Sequence, residues 1–81
     1  MKITIKLFAV YQEVLGVPEL VWDLPETSTV REVCDRLLEQ HPRLEQWRNL
    51  TRYGVNLNFV SINTTLQDGD EVVLIPPVSG G

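Results

Sequence analysis

Residues Lys2 to Phe8 alternate polar and apolar, with isoleucine at 3 and 5 and leucine at 7. Successive side chains of a strand point to opposite faces, so this alternation with β-branched residues predicts a half-buried strand. Ile3, Ile5 and Leu7 should face a core. The same parity puts Phe8 on the outer face with Lys2, Thr4 and Lys6, an aromatic where solvent is expected. Val10 to Leu15, closed by Gly16, reads as a short helix with glycine as its stop. Glu19 to Leu24 is a second strand, with Leu20, Trp22 and Leu24 as its inward face. Thr29-Val30-Arg31-Glu32 is a capping box that opens the main helix. In that helix Val30, Val33, Cys34, Leu37 and Leu38 form one apolar stripe, and His41-Pro42 ends it because the residue before proline avoids helical geometry. A further helical turn covers Leu44 to Trp47. The pattern then returns to β at Arg52 to Asn56, at a short piece around Phe59-Val60, and at Glu71 to Ile75 after a turn at Gln67-Asp68-Gly69-Asp70.

Two strands, a long helix and further strands predict an α+β domain, with a helix too large to lie anywhere but across one sheet face. In the last strand Val72 and Leu74 share one face, and Glu71, Val73 and Ile75 the other, so Ile75 joins Phe8 away from the helix. Phe59, an isolated aromatic in what reads as a polar turn, completes a candidate docking patch of Phe8, Phe59 and Ile75.

The 81 residues make one small domain with little room for an enclosed active site. The formal charge of −4 and the absence of a Lys/Arg cluster oppose a nucleic-acid groove or an anionic membrane surface, which leaves proteins as the expected partners. No apolar run has the length of a membrane span or a signal sequence, and a single cysteine cannot form an internal disulfide; the expectation is a soluble, cytoplasmic protein.

No residues combine into a catalytic constellation. His41 stands at a helix end, where partial positive charge suits the carbonyl end of the dipole, and no further ligands cluster around it for zinc. Cys34 lies within the apolar stripe and reads as a small hydrophobe rather than a sulfur-carrying thiol. Asp68, Asp70 and Glu71 lack the ligand number and spacing of a calcium loop and read as a tight turn. Trp22 and Trp47 read as core and near-core packing residues. No metal site is expected.

The sequence closes on Pro76-Pro77-Val78-Ser79-Gly80-Gly81. Proline cannot continue a β-ladder and holds an extended conformation, so the domain is expected to span residues 1–75 and a flexible tail residues 76–81. Two glycines without side chains can thread a narrow channel in a partner, which makes the Gly81 carboxylate a reactive handle.

Leu66-Gln67-Asp68-Gly69-Asp70-Glu71-Val72 followed by that tail resembles the motifs L-x-D-G-D-E-V and P-P-V-S/T-G-G of the small ubiquitin-like sulfur carriers, and among them the small subunits of molybdopterin synthase. Asn56 after the third strand, and Phe8-Ala9 before a short helix and Gly16, match the same family along the whole chain. Gln12 departs from it, at a position where the family often has arginine. The resemblance implies a β-grasp fold and a carrier that is no enzyme on its own. An activating enzyme consumes ATP to adenylate Gly81, and a sulfurtransferase donor converts the adenylate to a thiocarboxylate. The tail, Pro76 to Gly81, then enters the active site of the synthase large subunit, in an assembly of two large subunits with one carrier at each end, and its sulfur builds the dithiolene of molybdopterin. No stably bound cofactor is implied. The same Gly-Gly chemistry serves carriers for thiamine or tRNA thiolation and ubiquitin-like protein modifiers; the thiamine carriers typically lack the helix between the first two strands.

Overall fold

The computed structural model describes residues 1–77. Its elements are β1 (Lys2–Leu7), α1 (Val10–Leu15), β2 (Glu19–Asp23), α2 (Val30–Gln40), a 3-10 helix (Pro42–Leu50), β3 (Arg52–Val55), β4 (Asn58–Val60) and β5 (Glu71–Ile75). The strands form one sheet in the order β2-β1-β5-β3-β4. β1 and β5 pair in parallel at its centre, and every other pair is antiparallel. This mixed five-stranded sheet with α2 across one face is the expected β-grasp architecture.

Alternation along the strands sets the two faces. Ile3, Ile5 and Leu7 of β1, Val72 and Leu74 of β5, and Tyr53 and Val55 of β3 are buried against the α2 stripe of Val30, Val33, Cys34, Leu37 and Leu38. Each buried aliphatic side chain contributes about 1.5 to 3 kcal/mol by area. α2 starts where the sequence placed it: Thr29 Oγ1 accepts from Glu32 N–H at 3.4 Å and Glu32 Oε2 from Thr29 N–H at 3.0 Å. Two more of its unpaired N–H groups are met by the loop before β5, Val30 donating to Thr64 O and Arg31 to Ile62 O. Gly16 closes α1 at φ 76°, a left-handed conformation that glycine adopts without strain.

Three local expectations are corrected. The turn expected at Leu44 to Trp47 is a 3-10 helix over Pro42–Leu50, opened by a proline in its first turn and anchored by buried Leu44. The third strand ends at Val55 rather than Asn56, because Asn56 and Leu57 both take positive φ, 49° and 73°, and form the two-residue turn of a tight hairpin. The short β piece expected around Phe59-Val60 is β4, where Phe59 pairs with Gly54 across that hairpin, so Phe59 does not stand in a polar turn.

Candidate functional site: the outer sheet face

One row of residues crosses the whole sheet on the side away from α2. The register pairs Glu19 with Lys6, Lys6 with Val73, Val73 with Gly54, and Gly54 with Phe59. At one end Lys6 Nζ donates to Glu19 Oε1 at 3.0 Å, and this bond, with the adjacent carboxylate charge, raises the lysine pKa. Toward the other end the row turns apolar. Gly54 has no side chain to cover the floor: a Cβ there would stand 3.8 Å from Val73 Cβ. The result is an open groove of about 560 Å³ lined by Lys6, Phe8, Gly54, Leu57, Asn58, Phe59, Glu71, Val73 and Ile75.

All three residues of the sequence-derived patch, Phe8, Phe59 and Ile75, line that groove. Phe8 is 49% exposed and Phe59 72% exposed, so much of both rings faces water in the isolated chain. Leu57, 93% exposed, joins them and was not found by sequence reasoning, because nothing in the pattern marks a leucine at a hairpin tip. Gly54 was missed for a related reason: its contribution is an absent side chain, which has no periodicity. A second depression, of about 460 Å³, shares Phe59 and Ile75 with the first and continues along Leu50 and Arg52 to Pro76 and Pro77. The apolar face thus runs directly to the base of the tail. Pro76 and Pro77 follow β5 outside the ladder, while Val78, Ser79, Gly80 and Gly81, the remaining tail positions, lie outside the described residues.

The other candidates fall elsewhere. Cys34 is buried on the α2 side of the sheet with Sγ 3.3 Å from Tyr53 Oη, and burial raises its pKa. Tyr11 Oη is hydrogen-bonded to Thr51 Oγ1, which in turn donates to Trp47 O at 2.8 Å, so α1 and the 3-10 helix are tied together beneath the core. His41 caps α2, its backbone N–H donating to Leu37 O. Trp22 and Trp47 pack partly buried against the core, with Arg36 4.3 Å above the Trp22 ring. Gln12 borders a shallow depression with Ala9, Glu13 and Gly16.

Asp68 and Asp70 are turn residues: Asp68 Oδ1 accepts from Lys2 N–H at 2.7 Å, and Asp70 Oδ2 accepts from Gln67 N–H at 2.8 Å. Among the described residues no group of His, Cys, Asp and Glu side chains is arranged to hold a metal ion, and no helix is long and apolar enough to cross a membrane. The face can bind an apolar partner surface, with Lys6 and Glu71 as the charged residues of its lining.

The ThiS family matches residues 5–81. The molybdopterin synthase sulfur carrier subunit of Arabidopsis thaliana is 35% identical over 80 residues, covering 99% of this chain and 83% of that protein. Small archaeal modifier protein 1 of Haloferax volcanii is 33% identical over 87 residues, covering 94% of this chain and 97% of its own. The crystal structure of SAMP1 from Haloferax volcanii superposes with a TM-score of 0.85 at 30% identity, over 100% of both chains. Sequence match across nearly the whole chain and a shared β-grasp architecture lead to one conclusion: this chain belongs to the ThiS family.

Proposed function

We propose that this chain is a sulfur carrier, the small subunit of a molybdopterin synthase, and that it works by presenting a thiocarboxylate at Gly81. The observation that carries the reading is the continuity of an exposed apolar groove with the base of a Pro-Pro-Val-Ser-Gly-Gly tail. The 35% identity to a sulfur carrier subunit supports it. The division of labour follows from the chemistry. A carboxylate is a poor electrophile, so an activating enzyme first joins the Gly81 carboxylate to the AMP part of ATP and pyrophosphate leaves. The outer sulfur of a persulfide on a sulfurtransferase donor then attacks the acyl carbon and AMP departs; a second thiol cleaves the resulting acyl disulfide, forming a disulfide with the donor sulfur and leaving the thiocarboxylate on Gly81. The groove docks the large subunit, while the tail, slim at Gly80 and Gly81, delivers the sulfur to that subunit's active site. Complete burial of a phenylalanine contributes roughly 1.5 to 3 kcal/mol by area, and docking would bring most of that for Phe59, 72% exposed, and about half for Phe8, 49% exposed.

Gly81 carries the test. Deleting it, or appending one alanine, should abolish ATP-dependent sulfur loading while leaving the thermal melt unchanged, because neither change touches the packed core. Intact-protein mass spectrometry should show one oxygen replaced by sulfur in the unaltered chain only; loading of either variant at the ordinary rate overturns the reading.

The likeness to a small archaeal modifier protein supports a second reading, in which Gly81 is joined to lysines of other proteins. Isopeptide-linked adducts on many cell proteins would favour it, and a single stable complex with one large subunit would oppose it.

A further inference from the structure

We propose that Asn56 is a positioning residue, a clasp that fixes the β3–β4 hairpin and thereby holds Leu57 and Phe59 in the docking groove. Its side chain bridges two segments that are distant in sequence: Asn56 Nδ2 donates to Asp70 Oδ1 at 2.8 Å, and Asn56 Oδ1 accepts from Glu71 N–H at 3.0 Å. The Asn56 backbone N–H also donates to Glu71 O at 3.0 Å. Asp70 is itself held, its Oδ2 accepting from Gln67 N–H at 2.8 Å. The hairpin tip is thus bolted to the first residue of β5, the strand that leads to the tail.

The backbone explains why the clasp is needed. Asn56 and Leu57 stand at φ 49° and 73°. Asparagine tolerates the left-handed region, but a leucine there is strained. Leu57 is also 93% exposed, so the fold itself recovers nothing from this placement. Strain held by hydrogen bonds from a neighbouring residue, at a side chain that lines the groove, is the mark of a preorganised contact. β4 is only three residues long and lies at the sheet edge, where the ladder alone gives little rigidity. The identity of the docking partner rests on the sulfur-carrier reading; the clasp itself does not.

Four proteins test it. Asn56→Gly keeps the positive φ without strain and removes the side-chain bonds while adding backbone freedom, which the Asp variant and its swap do not. Asn56→Asp sets a carboxylate against Asp70. Asn56→Asp combined with Asp70→Asn inverts the pair: the new amide at position 70 donates to the new carboxylate at position 56, and its carbonyl oxygen still accepts from Gln67 N–H. Asn63→Ala, which removes the two exposed bonds that Arg31 donates to Asn63 Oδ1 at 3.3 and 3.1 Å, controls for general loss of surface hydrogen bonds.

Amide hydrogen exchange of Asn58 and Val60, whose N–H groups face β3, should quicken in the Gly and Asp variants and return to the original rate in the swap. Affinity for the synthase large subunit, by calorimetry, should fall roughly five- to tenfold in the two single variants and recover in the swap, with the Asn63→Ala control unchanged. A swap that stays weak or does not fold, or single variants with the original exchange and affinity, overturns the clasp. Where even the unaltered chain does not bind the large subunit, the functional reading fails, and the exchange measurement alone decides for or against the clasp.

Discussion

Cys34 and Gly81 are the two residues on which a sulfur atom could be carried, and their surroundings separate them. The Cys34 thiol is buried beneath the sheet with its pKa raised by desolvation, so the thiolate that would accept sulfur is suppressed. Cys34→Ala should therefore cost about 1 kcal/mol of packing stability in a denaturant titration and leave sulfur loading unchanged. Added mass that maps to the Cys34 peptide, or that is lost in the alanine variant, would overturn the thiocarboxylate mechanism. The same shift has a pH signature. A thiol whose folded pKa is raised stays protonated in the fold while the unfolded chain ionises, so its stabilising contribution is complete below the unfolded pKa and is lost as pH rises through the folded one. Stability should fall above roughly pH 8.5, where free thiols ionise. Tyr11 and Tyr53, whose pKa values burial also raises, extend that fall to higher pH, and Cys34→Ala should remove only its earliest part.

At the scale of elements, β4 contributes little to the core and much to the face. Its Phe59 is 72% exposed and lies across the hairpin from Gly54, beside a floor that has no side chain of its own. Phe59→Arg should leave the thermal midpoint unchanged. It should weaken binding to the large subunit by about 2 to 4 kcal/mol, because docking would then desolvate an unpaired charge at the centre of the contact. Unchanged affinity by calorimetry would remove Phe59 from the docking surface. The helices have the opposite character. α2 supplies the stripe that the inner face needs, and the 3-10 helix adds buried Leu44 and the Arg48 pairs to Asp35 at 2.6 Å and Glu45 at 2.8 Å. These pairs are exposed on their acidic side and contribute little individually.

At the scale of the molecule, a chain of formal charge −4 with one apolar groove is suited to a protein partner. Among the described residues that groove lies on the sheet face away from α2; on the proposed sulfur-carrier reading it would seat one large subunit per carrier. If the large subunits form a dimer with a carrier at each end, light scattering of the mixed proteins should give a two-plus-two mass. A stable homo-oligomer of this chain that refuses the large subunit would count against that assembly.

Much of this was legible in the linear pattern, wherever a local rule decides the outcome. The alternation in β1, the capping box at Thr29 and Glu32, the apolar stripe of α2 and the glycine stop at Gly16 each depend on residues within one or two turns of chain, and all four stand in the structure. Strand parity alone also placed Phe8 and Ile75 on the outer face, and the turn residues Gln67-Asp68-Gly69-Asp70 pointed to a tight turn. What the pattern could not carry depends on contacts between distant segments. The 3-10 helix has no amphipathic period to read, and it is anchored by the single buried side chain of Leu44. Leu57 occupies a left-handed position that its own preference opposes, held there by the bonds between Asn56 and residues 70 and 71. Gly54 opens the groove only because its neighbours in register are Val73 and Phe59. Parity decides which face each groove residue takes, but the joining of the β3–β4 hairpin to Lys6 and Phe8 and to Glu71, Val73 and Ile75 depends on strands paired across long sequence separations, so tertiary register made them one surface.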